Sequence, residues 1–220
     1  MKRFPLFVNL DKLPVLVVGG GEIAERKINL IIKANAKVEV LARKFSPNVE
    51  NLINKNKLKK IKSNLDISTL DSNYSLIIAA TDNKQINKKL FNFANKNNIL
   101  INVVDQPDLC TCTFGSIVER GDLVVATSTG GNAPVVARNL RDKFETLLPQ
   151  STKQLIDFSA SIREKVMNSF SQFNKRRIFW ELFFDAFAAK KNITKSNLTA
   201  LSNQLIKTLK NKHSGEVFLV

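Results

Sequence analysis

The chain has 220 residues, 44% of them hydrophobic, with 34 Lys and Arg against 19 Asp and Glu and a formal net charge of +15. That length buries a sizeable core in one large domain or two small ones, and no apolar run reaches the roughly 18 residues of a membrane span. The basic excess is spread along a chain rich in Lys, Asn, Ile and Phe, without an aromatic–basic stacking pattern or zinc-finger spacing, so it predicts solvated faces, no nucleic-acid partner and no membrane partner.

The N-terminus, Met1-Lys2-Arg3-Phe4-Pro5, is basic but leads into no signal-type hydrophobic region, and a cytoplasmic protein is expected. An apolar strand at 14–18 then enters Gly19-Gly20-Gly21, and a helical pattern starts at Glu22. Read as G-x-G-x-x-A, this is a strand, a phosphate-cradling turn and a helix N-terminus. Gly19 permits the turn, Gly21 lets backbone approach a pyrophosphate, and Ala24 lets the helix pack closely on the strand. The uncompensated N–H groups and partial positive charge of the helix end favour an anion there. Further strands are expected at 37–41, 58–61, 75–79 and 100–104, with helices beginning near Asn48 and Asn83. Alternation at this spacing predicts a parallel sheet with crossover helices.

In such a sheet the ligand crevice lies at the carboxyl ends of the strands. Thr81 and Asp82 follow the fourth strand, and Asp105 ends the fifth in Asn102-Val103-Val104-Asp105. Asp105 reads either as an aspartate capping a turn before Pro107 or as a general base in a partly desolvated cleft beside a nicotinamide. Cys110 and Cys112, with one distant His213, make no disulfide framework and no closed metal site; ordinary small residues are expected, and no resident metal.

From 114 the rhythm changes. Strands at 116–119 and 123–128 flank Arg120-Gly121-Asp122, and a helix is expected over 133–148 after the turn Thr129-Gly130-Gly131-Asn132. Asn132 or Thr129 can cap that helix, and Pro134 suits its first turn. Arg138 and Arg141 share a face; they suit carboxylate binding or form a solvated basic surface. Beyond Pro149 only helical stripes remain: Leu155, Phe158, Ile162, Val166, Phe170; then Phe179, Leu182, Phe183, Ala186; then Leu198, Leu201, Leu205, Leu209.

The ordered set Phe4-Pro5-Leu6-Phe7, Val17-Val18-Gly19-Gly20-Gly21 with Ala24-Glu25-Arg26-Lys27, Ala79-Ala80-Thr81-Asp82, Asn102-Val103-Val104-Asp105, Ser128-Thr129-Gly130-Gly131, Ala133-Pro134-Val135, Ala137-Arg138 and Leu147-Leu148-Pro149 resembles the dehydrogenase/ferrochelatase part of siroheme synthase. Arg176-Arg177-Ile178-Phe179-Trp180-Glu181 fits that family's helical region. The resemblance implies an α/β protein: a Rossmann-like NAD-binding domain over 1–113, a small α+β dimerisation segment over 114–149, and a helical domain over 150–212. The family is a homodimer that oxidises precorrin-2 to sirohydrochlorin with NAD and inserts ferrous iron, a substrate, to give siroheme. Carried over by position, Gly19, Gly20, Gly21, Glu22, Ile23, Arg43, Lys44, Thr81, Asp82 and Val103 serve the cofactor, with Arg43 and Lys44 at its adenosine end. Asp105 matches the catalytic aspartate. Thr129, Asn132, Arg138 and Arg141 face a tetrapyrrole with eight carboxylates, which a basic protein suits.

Three features depart from the family pattern. The second strand ends Val40-Leu41-Ala42 without an acidic residue for the ribose hydroxyls, and Arg43-Lys44 follow, so the residues alone leave NAD and NADP open. Gly115 stands where a proline is frequent, which should loosen a strand entry. The tail 213–220 resembles the first strand of a methyltransferase domain whose glycine loop does not follow, so no methyl transfer is expected. Two other readings remain: a precorrin-2 dehydrogenase without chelatase activity, and a non-catalytic NAD-binding regulatory module.

Overall fold

A computed structural model describes residues 3–64, 66–187 and 194–211; the 213–220 tail and His213 lie outside them. The chain divides into two compact units, Met1–Phe114 and Gly115–Val220.

The first unit runs β1 (Pro14–Val18), α1 (Glu22–Lys33), β2 (Lys37–Ala42), α2 (Pro47–Asn56), β3 (Lys59–Lys62), β4 (Leu76–Ala79), α3 (Lys84–Lys96) and β5 (Leu100–Val103). All five strands are parallel, in the order β3-β2-β1-β4-β5. Successive side chains of a strand point to opposite faces, and here both faces are covered. Val15 and Val17 pack with Ala24, Ile28 and Ile31 of α1, whereas Leu16 and Val18 pack with Leu90 and Ala94 of α3. That double burial is why β1 and β4 read as unbroken apolar runs. Strand order reverses between β1 and β4, which opens a crevice at their carboxyl ends.

The helices start where their caps dictate. Ser46 accepts from the Val49 N–H and Pro47 takes the first helical position, so α2 begins one residue before Asn48. Asn83 accepts from the N–H groups of Gln85 and Ile86, at 3.0 Å each.

In the second unit β6 (Ser116–Arg120) and β7 (Leu123–Thr127) form an antiparallel hairpin, followed by α4 (Pro134–Leu147). Gly115 does not loosen the strand entry. A Cβ there would lie 2.8 Å from the Thr127 carbonyl oxygen, so glycine permits a close approach to β7. The Arg120 guanidinium is buried; it donates to the Leu148 carbonyl at 2.7 Å and pairs with the Glu145 carboxylate, fastening the hairpin to the end of α4. A buried guanidinium needs such partners. Three further helices, α5 (Ser151–Ser169), α6 (Phe173–Asp185) and α7 (Lys195–Asn211), close on Phe158, Phe170, Phe179, Phe183 and Phe187. Two of the expected stripes need correction. Leu182 is only half-buried, with Phe179, Phe183 and Phe187 as the inward residues of that segment. On α7 the buried row is Leu198, Ser202, Ile206 and Leu209, with Leu201 and Leu205 on its flank. Ser202 can face inward because its hydroxyl donates to the Thr199 carbonyl at 2.9 Å.

Candidate functional site

The crevice is built around the turn after β1. Gly19 has φ +138°, and a Cβ on it would stand 2.2 Å from the Ala80 carbonyl oxygen beyond β4. Glycine is required there so that the two central strand ends meet. Gly20 is held from the other side: the Ser46 N–H donates to its carbonyl at 2.8 Å, and a Cβ would meet the Lys44 carbonyl oxygen at 2.1 Å. Gly21 differs from both. It has an ordinary extended conformation, and a Cβ there would meet nothing within 4 Å. It is also the N-cap of α1 and supplies no side-chain cap. The N–H groups of Glu22, Ile23 and Ala24 therefore point past it without helical partners, at the positive end of a twelve-residue helix. Side chains cap α2 and α3; the start of α1 has no side-chain cap, as at α4, α5 and α6, but it alone of these follows the glycine turn at the β1 end, where it can take an anion. The residues present fit a pyrophosphate. Glu22 is exposed and paired with Arg26 at 3.0 Å, which keeps its carboxylate on the helix surface.

Toward β4 and β5, the Thr81 hydroxyl donates to the Asn87 side-chain oxygen at 2.7 Å, and Asn87 returns a bond to the Thr81 carbonyl at 3.0 Å. Asp82 is exposed. Val103 lies in the core, so its side chain supports the crevice from beneath. Asp105 follows in a tight turn at the β5 end, with φ +57°. The Val104 N–H donates to the Ala79 carbonyl at 3.0 Å, which ties that turn to the end of β4. Left-handed backbone is tolerated by Asp and Asn better than by other non-glycine residues. The partly desolvated setting expected for this carboxylate is not seen: Asp105 is solvent-exposed.

The residue that sequence reasoning missed is Cys110. Its sulfur accepts from the Val103 N–H at 3.2 Å, and its thiol proton lies within reach of the Val103 carbonyl at 3.1 Å and the Gln106 carbonyl at 3.3 Å. One thiol thus grips the backbone on both sides of Asp105. The 110–112 segment also covers the open edge of β5. Thr111 exchanges bonds with Ile101, and the Asn102 side chain donates to the Cys112 carbonyl at 3.0 Å. Burial, with a smaller push from Cys110, raises the Cys112 thiol to about 11, so it stays protonated and unreactive near neutrality. Lys27 reaches this loop from α1, its ammonium 4.3 Å from the Phe114 ring centre. Burial lowers its pKa, and the nearby Cys110, Cys112 and Asp105 oppose that shift. The spacing of Cys110 and Cys112 carries no signal for a clamp of this kind.

On the opposite side, Arg43 and Lys44 follow the end of β2 and are both exposed. The remaining expected residues lie in the second unit. Neither Thr129 nor Asn132 caps α4: its N-cap is Ala133, without a side-chain cap, and the Thr129 hydroxyl oxygen accepts from the N–H of Ala133 itself at 3.2 Å. Asn132 is exposed and makes no cap bond. Arg141 is committed to Asp142 through two bonds of 3.1 and 2.7 Å, whereas Arg138 is exposed and has no ion-pair partner among the described residues.

Comparison with known proteins bears on the fold and the family. A family model described as putative NAD(P)-binding matches residues 6–116, and one described as the sirohaem synthase dimerisation region matches residues 151–192. The second lies beyond the 114–149 segment to which the resemblance gives that role. The chain is 40% identical over its whole length to the siroheme synthase of Ruthia magnifica subsp. Calyptogena magnifica, covering 47% of that protein. It is likewise 40% identical to that of Pseudoalteromonas translucida (strain TAC 125), covering 46%. It spans about half the length of the siroheme synthases it matches. A solved structure titled SirC, precorrin-2 dehydrogenase, shares the fold with a TM-score of 0.74 at 22% identity, over 93% of this chain and 100% of that one. With the NAD(P)-binding model matched across half of its residues, the chain belongs to that putative NAD(P)-binding family, and it is similar from end to end to about half of a siroheme synthase.

Proposed function

We propose that this chain is a precorrin-2 dehydrogenase of siroheme synthesis that uses NAD as hydride acceptor and also inserts ferrous iron into the sirohydrochlorin it makes. The observation that carries the reading is the pairing of an uncapped, glycine-led helix start at the β1–β4 reversal with an exposed aspartate held at the neighbouring strand end.

NAD supplies a two-electron acceptor when bound. The N–H groups at the start of α1 hold its pyrophosphate, and Arg43 and Lys44 lie on its adenosine side. Thr81 and Asp82 line the β4 end. Oxidation of the macrocycle removes a hydride and a proton; bound NAD would supply the acceptor for the hydride, and Asp105 would take the proton. The same carboxylate accepts protons from pyrrole nitrogens as iron enters, so both steps share one cleft. Arg138, without a carboxylate partner among the described residues, is the cation best placed by its chemistry to take a substrate carboxylate. The tetrapyrrole's many carboxylates also suit the net charge of +15. We further propose a homodimer, since α4 presents exposed Val135, Val136, Leu140 and Leu147.

Incubating the protein with precorrin-2, NAD and ferrous iron while following absorbance tests the whole reading. Conversion to sirohydrochlorin and then siroheme is expected; arrest at sirohydrochlorin leaves a dehydrogenase alone, and no conversion removes the enzyme reading.

Cys110 enters as a positioning residue. Cys110→Ala removes the groups that grip the Asp105 turn and should lower kcat about 3–10-fold while changing the affinity for NAD little. Cys110→Ser restores a donor and acceptor and should recover most of that loss. Equal kcat values for Ala and wild type in steady-state assays would show that the clamp does not matter to catalysis.

A further inference from the structure

Lys27, in the second turn of α1, is a cation in an apolar setting. It lies beside Ala24, Ile28 and Ile31, the residues that α1 buries against the sheet. Lys27 is half-buried, and among the described residues it has no hydrogen bond and no ion pair; its ammonium stands 4.3 Å from the centre of the Phe114 ring. Burial lowers its pKa, while Cys110, Cys112 and Asp105 oppose that shift and Arg26 adds to it. Arg26 itself is paired with Glu22 at 3.0 Å on the helix surface. The other two ammonium–ring contacts are of a different kind. Lys60, over Phe45, also pairs with Glu50, and Lys88 and Phe91 belong to one helix. A half-buried ammonium without a bonded carboxylate costs desolvation, and the packing of α1 alone does not call for one.

The segment that Phe114 ends gives the reason. Lys27 and this segment belong to the same compact unit. After β5 the chain passes around the edge of the sheet: Leu109 and Cys110 pack on the α3 side, Cys112 and Phe114 on the α1 side. At its near end the Cys110 sulfur holds the Asp105 turn through Val103 and Gln106. Midway, the N–H groups of Thr111 and Cys112 donate to the Ile101 carbonyl at 2.9 and 3.2 Å. At its far end Phe114 meets Lys27 of α1. The helix whose start forms the proposed pyrophosphate cradle is thus joined to the loop that carries the proposed base.

Building on the proposed dehydrogenase reading, we infer that Lys27 is a positioning residue: its ammonium, seated on Phe114, pins the 105–114 segment to α1 and so fixes Asp105 relative to the cofactor cradle. A desolvated cation–ring contact is of moderate strength, and its loss should lower kcat about 3–10-fold. NAD affinity should stay, because the cradle is made of backbone N–H groups one turn earlier in α1.

Amide exchange on the intact chain reads the pin without any turnover, and steady-state rates with precorrin-2 and NAD read its effect on the reaction. In Lys27→Met the bonded amides of Val104, Thr111 and Cys112 should exchange faster, with those of α1 and β1 unchanged. The same variant should lose kcat while KM and the NAD dissociation constant stay within about twofold. Lys27→Arg keeps a cation over the ring and should restore both readouts, and Phe114→Leu should reproduce the loss. Combined with Cys110→Ala, Lys27→Met should cost less than the product of the two separate losses, since both act through one loop. Unchanged exchange, or unchanged kcat, in Lys27→Met overturns the positioning role. A rise in KM with kcat kept also overturns it and makes Lys27 a contact to substrate. A wild-type chain that turns over no precorrin-2 overturns the dehydrogenase reading and, with it, the catalytic purpose of the pin, whose existence the exchange data still decide.

Discussion

Gly21→Asp should weaken NAD binding by about 100-fold or more, in a protein that unfolds at the same temperature as its parent or slightly above it. The two halves of that result have separate causes. For the fold, Gly21 has φ −98°, a conformation open to any residue, and a Cβ there meets nothing within 4 Å. Asp is moreover a better N-cap than glycine by a few tenths of a kcal/mol, and its charge complements the helix dipole. For the ligand, the new carboxylate accepts from the N–H groups of Ile23 and Ala24, the donors a pyrophosphate needs. It also places negative charge against negative charge, worth about 4 kcal/mol at 4 Å near a protein surface. Thermal unfolding and NAD titration read the two effects apart. Dehydrogenation should fall with binding, while iron insertion into supplied sirohydrochlorin should largely survive, since it uses no hydride acceptor. Unchanged affinity in a folded variant would remove the phosphate role from this turn. Neither neighbouring glycine allows so clean a test: a side chain at Gly19 or Gly20 drives into the Ala80 or Lys44 carbonyl, so lost binding there would accompany lost stability.

The same contrast shows how far the site can be read from residues alone. Local rules carry a long way. The buried run of β1, the glycine turn and the apolar spacing of α1 are consecutive in the chain, and each follows from the geometry of one strand or one helix. What escapes them depends on contacts between segments. Nothing in Cys110-Thr111-Cys112 tells that this stretch folds back along the edge of β5, because the backbone contacts join residues 10 and 11 positions apart through an irregular loop. The left-handed backbone of Asp105 is invisible for the same reason: Val104 is tied to Ala79 of a different strand, and Cys110 closes the turn. Asn132 and Thr129 are equally good caps by type, but beyond Gly130 and Gly131, both at positive φ, the N-cap falls on Ala133, and Thr129 holds only that residue's N–H. On α7 the leucine count pointed one position away from the inward row, because Ser202 satisfies its own hydroxyl within the helix and can turn inward.

Asp105→Asn should leave NAD affinity within about twofold and lower dehydrogenase activity by about 10²–10⁴-fold, the usual contribution of a positioned base. The structure makes this substitution more discriminating than a change to alanine. Asp105 sits at φ +57°, which asparagine tolerates as readily as aspartate, so the turn and the Cys110 clamp around it survive. Size and polarity also survive; only the basic oxygen pair is lost. NAD binding should be spared because the proposed pyrophosphate cradle is the start of α1, beside β1, whereas Asp105 follows β5, beyond β4. Iron insertion should slow by a smaller factor, since Asp105 is exposed and water can take up pyrrole protons where the cleft is open. The two rates, measured separately with precorrin-2 and with supplied sirohydrochlorin, distinguish three arrangements. Loss of dehydrogenation with a partial loss of chelation fits one shared base. Loss of dehydrogenation alone assigns Asp105 to the redox step and leaves proton removal during metal entry to solvent or another group. Near-normal rates for both steps, in a folded protein that still binds NAD, would falsify the catalytic role and reduce Asp105 to the turn-forming residue that its backbone angle alone would explain.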